Sequence, residues 1–258
     1  MGQVIPLHEV PSLRDKVSEE EWQLRCELAA VYRLVYRFGW DDGIFTHSSV
    51  RLPGKDHHFL INPYGHLFNE VCASNLVKID VDGNVLDDSP YDVIRAGFVI
   101  HSAIHMSRAD AMCVIHTHTN AGMAVSAQKG GLLPLNQKSM MFYNRVTYHD
   151  YEGISNDIDE RDRLVADLGN HHSMILRNHG LLSTGRSIAE AFYRHRLLEH
   201  SCELQLQAQM AGTELIIPPK EVCEHAASQF EGDGKMQGDS TFQAYMRLLD
   251  KEEPDYRH

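Results

Sequence analysis

Apolar residues recur at two spacings along this chain, and the switch between them divides it into helices and short strands. Leu24, Leu28, Val31, Val35 and Phe38 fall three or four apart, which predicts an amphipathic helix. Ser18 followed by Glu21 forms a capping box at its start, and Gly39 stops it. Strand-like stretches follow at 44–52, 58–61 and 76–80, separated by the turn signals Pro53-Gly54 and Asn62-Pro63-Tyr64-Gly65. Asp82-Gly83 then predicts a hairpin after the third strand. An apolar helix spans 94–107, a strand ends in His116-Thr-His118, and a helical pattern covers 121–127. Residues 132–135 open another sheet segment, 156–169 form an acidic surface helix, and a strand runs into Arg177-Asn-His179-Gly180. A second capping box, Ser187 with Glu190, begins a long helix reaching about Met210, on which Arg194, His195, Arg196 and His200 read as a solvated face or a subunit contact. Residues 1–17 have no period and predict a surface arm. After Pro218-Pro219 the chain is polar and glycine-containing, then amphipathic over 242–249. The expected organisation is an arm (1–17), one domain (18–215) and a C-terminal appendage (216–258).

Composition narrows the function classes. With 258 residues, 43% of them hydrophobic, the chain can bury a sizeable core in one large α/β domain. A net charge of −12 and a pI of about 5.7 argue against nucleic acid or an anionic membrane surface as the main partner. No apolar run approaches the roughly 18 residues of a membrane span, and the first residues lack the basic-then-apolar order of a signal peptide, so the expected location is cytoplasmic. Five scattered cysteines without a Cys-x-x-Cys pair indicate neither a disulfide framework nor a thiolate metal site.

The chemistry concentrates at histidines. Residues i and i+2 of a strand point the same way, so His116 and His118 project together from one strand end. His179 at the end of another strand completes a three-nitrogen face for a divalent metal, with at least one position open, as in catalytic rather than structural zinc sites. His101 and His105 lie four apart on one helical face, but Ser102 stands where His-Glu-x-x-His enzymes carry glutamate, which favours a packing role. Glu70 follows the sharp Asn62 to Gly65 turn and reads either as a cleft carboxylate or as a solvated one. Tyr143, Tyr148 and Tyr151 cluster with His149 and Asp150; phenols there pack at a core edge or serve as acids.

Taken together and in this order, His116-Thr-His118, Arg177-Asn-His179-Gly180-Leu181, Asn62-Pro-Tyr-Gly65, 121–127 and 147–153 resemble the class II aldolase and adducin family over roughly residues 20 to 212. The resemblance implies a single α/β/α domain with a central, mainly antiparallel β-sheet covered by helices, and a homo-oligomer, often a tetramer. It carries the metal-ligand role onto His116, His118 and His179, for Zn2+ or for Mn2+, Co2+ or Fe2+. The wording of 67–71 and 148–151 is closer to the adducin-like branch, and adducins are cytoskeletal proteins.

Departures from the aldolase pattern matter as well. The aldolases' Ser-Ser-Glu run, with its catalytic glutamate, aligns with Arg95-Ala96-Gly97, so Glu70 is the substitute acid/base and Tyr148 a second candidate. Where the aldolases carry a Gly-Asn pair and a Thr-Pro-Thr-Gly-like turn for phosphate, this chain has Thr46-His47 and Tyr64; their proton-transfer tyrosine aligns near Gln137 and Lys138. Candidate substrate contacts are therefore His47, Asn62, Tyr64, Gly65 and Gln137. The expected function is a metal-dependent lyase cleaving a carbon-carbon bond next to a carbonyl, by decarboxylation or retro-aldol reaction, on a substrate without phosphate. Alternatives are an epimerase or iron-dependent oxygenase using the same site, and a non-catalytic adducin-like module.

Overall fold

A computed structural model of the chain describes residues 5–54, 57–153 and 160–258, with backbone alone at His8, 95–99 and 233–237. Helix α1 (Glu19–Arg37) starts where its cap requires: Ser18 Oγ accepts from the Glu21 amide at 3.1 Å. The Glu21 carboxylate turns instead to Arg25 (2.9 Å) and Lys78 (3.0 Å), tying the helix to a later strand. Gly39, at φ +67°, ends it in the left-handed conformation that glycine adopts without steric cost.

Among the described residues seven strands follow: β1 (His47–Arg51), β2 (Phe59–Ile61), β3 (Val77–Ile79), β4 (Cys113–Thr117), β5 (Val146–His149), β6 (Ser173–Leu176) and β7 (Gly180–Gly185). They form one sheet in the order β3-β2-β1-β4-β7-β6-β5. Every neighbouring pair is antiparallel except β5 with β6. The helices are α2 (Arg95–Ser107), α3 (Asn120–Ser126), α4 (Gln137–Met140), α5 (Glu160–Leu168), α6 (Ile188–Met210) and α7 (Lys220–Glu252).

Strand alternation sorts the core into two layers. Cys113 and Ile115 of β4 pack with residues of α1, α6 and α7, whereas Val114 packs with Ile100 and Ile104 of α2 and with Leu164 and Leu168 of α5. The result is the expected α/β/α sandwich around a mainly antiparallel sheet. Among the described residues, no helix is long and apolar enough to cross a membrane.

Some local expectations change. Residues 132–135 form no strand: the Leu132 amide donates to the Tyr148 hydroxyl (3.0 Å) and that of Leu133 to Gln205 Oε1 (2.7 Å), so side chains satisfy this segment instead of a neighbouring strand. The sheet segment nearby is the tyrosine-bearing β5. The start of the expected acidic helix, 156–159, lies outside the described residues. On α6, His195 is buried rather than solvated, because α6 is packed between the sheet and α7. The polar stretch after residue 219 belongs to the single helix α7, which seats Phe242, Met246 and Leu249 in the main core.

Candidate metal centre

Antiparallel pairing brings the end of β4, the start of β1 and the β6–β7 turn together at one end of the central strands, with His47 directly opposite His116. His116 is the penultimate residue of β4, His118 lies just past its end, and His179 occupies the three-residue turn before β7. That turn has sequence-specific causes. Asn178 takes φ +56°, which asparagine tolerates better than most residues. A Cβ on Gly180 would stand 2.2 Å from the Thr117 carbonyl oxygen, so only glycine lets the turn close onto the His-x-His strand.

The three imidazoles converge. His118 Nε2 lies 2.8 Å from His116 Nε2 and 2.9 Å from His179 Nε2. One ligand nitrogen from each ring falls within 4.8 Å of the others. The opposite nitrogens determine what this means. His116 Nδ1 is 2.9 Å from the Leu181 carbonyl oxygen, and His118 Nδ1 is 3.1 Å from Asp42 Oδ2. Both oxygens only accept, so both Nδ1 atoms carry the proton and the facing Nε2 atoms present lone pairs. Burial, together with the neighbouring His179 and His118, holds His116 well below the usual histidine range, and burial first lowers His179 to about 4. Neutral rings with their lone pairs aimed at one point form a cation site. Three protein donors leave further coordination positions for substrate or water.

Behind this face runs a buried polar chain. His47 packs between His116 and His101, with ring centroids 5.5 and 4.3 Å away, and among the described residues neither of its nitrogens has a hydrogen-bond partner. Ser49 Oγ is 2.6 Å from His101 Nδ1 and 2.7 Å from His105 Nε2; His105 Nδ1 donates to the Ala111 carbonyl at 2.7 Å. Thr46, where the resembling aldolases carry glycine, keeps a left-handed backbone at φ +66° despite its branched side chain.

The remaining candidates are placed unevenly. Asn62 is buried and bound to the Tyr32 hydroxyl (2.9 Å), pinning the end of β2 beside β1. Tyr64 is half-buried with its amide on Asp92, and Gly65 turns the chain at φ +93°. The Glu70 carboxylate accepts from the Leu67 amide at 2.7 Å, capping its own turn. Tyr148 spends its hydroxyl on the Leu132 amide and lies under the Arg177 guanidinium, 4.0 Å from the ring centroid. Gln137 is exposed at the start of α4. Among the described residues, no hydrogen bond links Glu70, Tyr148 or Gln137 to the three histidines.

One residue joins the site that the sequence did not single out, and one comes from the tyrosine cluster. Only the fold brings Asp42 to His118. Tyr151, about half exposed, sets its ring 6.2 Å from that of His179.

Known proteins resemble this chain along most of its length. An aldolase II superfamily protein from Pseudomonas syringae is 50% identical, covers 96% of this chain and all of its own, and superposes with a TM-score of 0.93. An L-fuculose 1-phosphate aldolase from Glaciozyma antarctica is 29% identical over 98% of each chain, with a TM-score of 0.81. Alpha-adducin of Rattus norvegicus is 40% identical over 97% of this chain, which spans only 36% of the adducin. The family model for the class II aldolase and adducin N-terminal domain matches residues 26–206. With that match spanning most of the chain and relatives this similar along nearly all of it, the chain belongs to the class II aldolase and adducin family.

Proposed function

We propose that this protein is a metal-dependent lyase that cleaves a carbon-carbon bond next to a carbonyl, by decarboxylation or retro-aldol reaction, in a hydroxy-carbonyl or hydroxy-acid substrate without phosphate. The observation that carries the reading is the triad itself: His116, His118 and His179 turn three Nε2 atoms on one point while Leu181 and Asp42 occupy the other nitrogens of the first two. Imidazole donors suit zinc first, with manganese, cobalt and iron as further occupants. Such an ion supplies a Lewis acid for the charge that develops on a substrate oxygen.

The chain's own residues supply the rest. Glu70 is the proposed acid/base and Tyr148 the second candidate. His47 and Tyr64 fill volume where the resembling aldolases hold phosphate, and their rings suit an aromatic or carboxylate-bearing substrate. Asn62 and Gly65 shape the turn beside them.

Metal analysis, a substrate screen and a Glu70 variant test this. Protein purified without added metal should contain about one divalent ion per chain, and His118→Ala should lose it. Turnover should then appear among unphosphorylated hydroxy-keto acids or hydroxylated aromatic acids; turnover confined to sugar phosphates such as fuculose 1-phosphate would refute the substrate class. Glu70→Gln should lower turnover roughly 10² to 10⁴-fold with metal content unchanged. Because that carboxylate also caps a turn, thermal melting of the same variant separates a lost proton donor from a loosened fold.

The 40% identity to alpha-adducin favours one second reading, an interaction module without chemistry. A chain that takes up no metal and turns over nothing in the screen would establish it.

A further inference from the structure

Strand alternation that aims His116 and His118 at the metal point aims Thr117 and Thr119 the other way, onto α6. There they meet Glu199, a fully buried carboxylate. The Thr117 hydroxyl donates to Glu199 Oε1, and the Thr119 hydroxyl donates to Oε2 at 2.7 Å. Thr119 also accepts from the Gly122 amide at 2.9 Å, capping α3. His195, one turn earlier on α6, places Nε2 2.9 Å from Thr117 Oγ1 and 3.4 Å from Glu199 Oε1, with Nδ1 3.2 Å from Ser183 Oγ of β7.

Proton counting orders this cluster. Thr117 has one hydroxyl proton and spends it on Glu199, so its contact with His195 is an Nε2–H donating to the threonine oxygen. Glu199 therefore grips both neighbours of His118, and His195 ties the same point to β7, the strand that opens with Gly180 beside the His179 turn.

We propose that Glu199, supported by His195, is a positioning residue for the metal centre: it holds Thr117 and Thr119 so that His118 meets His116 and His179 before any ion arrives. This rests on the metal reading above. A buried carboxylate with two hydroxyl donors is satisfied where it stands. A brace behind a ligand loop raises affinity by removing the cost of ordering that loop on binding.

The test is Zn2+ affinity of the full-length protein, measured by competition with a chromophoric chelator and set beside thermal melting of the metal-free chain. Glu199→Gln puts an amide N–H against one of the two hydroxyls and should weaken Zn2+ binding about tenfold or more, the scale of losses from outer-sphere partners. Thr117→Val keeps the shape without the hydroxyl and should show a similar loss; Thr117→Ser restores the hydroxyl and should bind like the wild type. If Glu199→Gln does not fold, the Thr117 pair decides alone. Wild-type affinity in both folded Glu199→Gln and Thr117→Val overturns the proposal while leaving the metal centre intact. Failure of the wild-type chain itself to bind Zn2+ or another divalent ion overturns both.

Discussion

Single atoms determine which nitrogen each ligand histidine offers. The Leu181 carbonyl fixes the tautomer of His116 from the backbone, so no side-chain substitution can remove that contact. His118 depends instead on the half-exposed Asp42, a partner that mutation can reach. Asp42→Ala should lower metal affinity about tenfold, and Asp42→Asn less, because an amide oxygen still accepts from Nδ1. Neither should move the melting temperature much, as Asp42 is a surface residue. Gly180 should behave differently. Its added methyl would collide with the Thr117 carbonyl at 2.2 Å, so Gly180→Ala should lose stability and metal together, read by urea unfolding and by elemental analysis. Thr46 shows the same economy from the other side: a branched residue held at φ +66° beside His47 keeps a backbone conformation for which glycine is better suited.

At the level of elements, α2 and β1 share the buried histidine chain, and its hydrogen bonds fix its protonation. His105 donates from Nδ1 to Ala111, so its Nε2 accepts from Ser49, and Ser49 accepts in turn from His101 Nδ1. Both rings are neutral: burial lowers His105 to about 3 and pushes His101 well below its ordinary value. The unfolded chain binds these protons near pH 6.5 and the folded chain only far lower. Folding stability is therefore complete above about pH 6.5 and falls as the pH drops toward 3, by about 1.4 kcal/mol per pH unit for each such histidine. Urea midpoints of the metal-free protein at pH 7.5, 6.5 and 5.5 should show the decline, and His105→Gln should flatten it. How far each element was legible follows from how local its determinants are. The α1 cap, the His-x-His strand and the Asn62 to Gly65 turn are written in adjacent residues. Strand β5 was hidden because its pairing with β6 is non-local, and the burial of α6 because helices in contact with both a sheet and another helix lose the polar face that pattern reading relies on. His195 accordingly read as part of a solvated face or a subunit contact.

Across the whole molecule, the site lies at one end of the central strands, and the family resemblance implies a homo-oligomer, often a tetramer. Light scattering should then give a multiple of the 29.3 kDa chain mass, about four times it for the tetramer. Within one chain, the C-terminal residues complete the core distant in sequence from the triad. Tyr256 is fully buried in the cluster that contains Leu28, Phe68 and Phe192, and its hydroxyl donates to Asp250 at 2.8 Å. Around it, the Ala73 and Ser74 amides donate to the carbonyls of Tyr256 and His258, and Arg33 reaches Asp255 at 3.0 Å. These bonds fasten the segment after β2, which carries Glu70, to the helix α1 that backs it. Tyr256→Ala should destabilise the fold by about 3–5 kcal/mol, the usual cost of emptying a large aromatic site. Tyr256→Phe should cost only about 1 kcal/mol, because it keeps the volume and loses one hydrogen bond. Equilibrium urea unfolding distinguishes the two, and equal effects would mean that the hydroxyl rather than the ring holds the segment. In the Ala variant, metal affinity measured below its unfolding transition should stay near the wild-type value, since the triad is built from β4 and the β6–β7 turn, whereas the segment of Tyr256 packs mainly on α1 and α7.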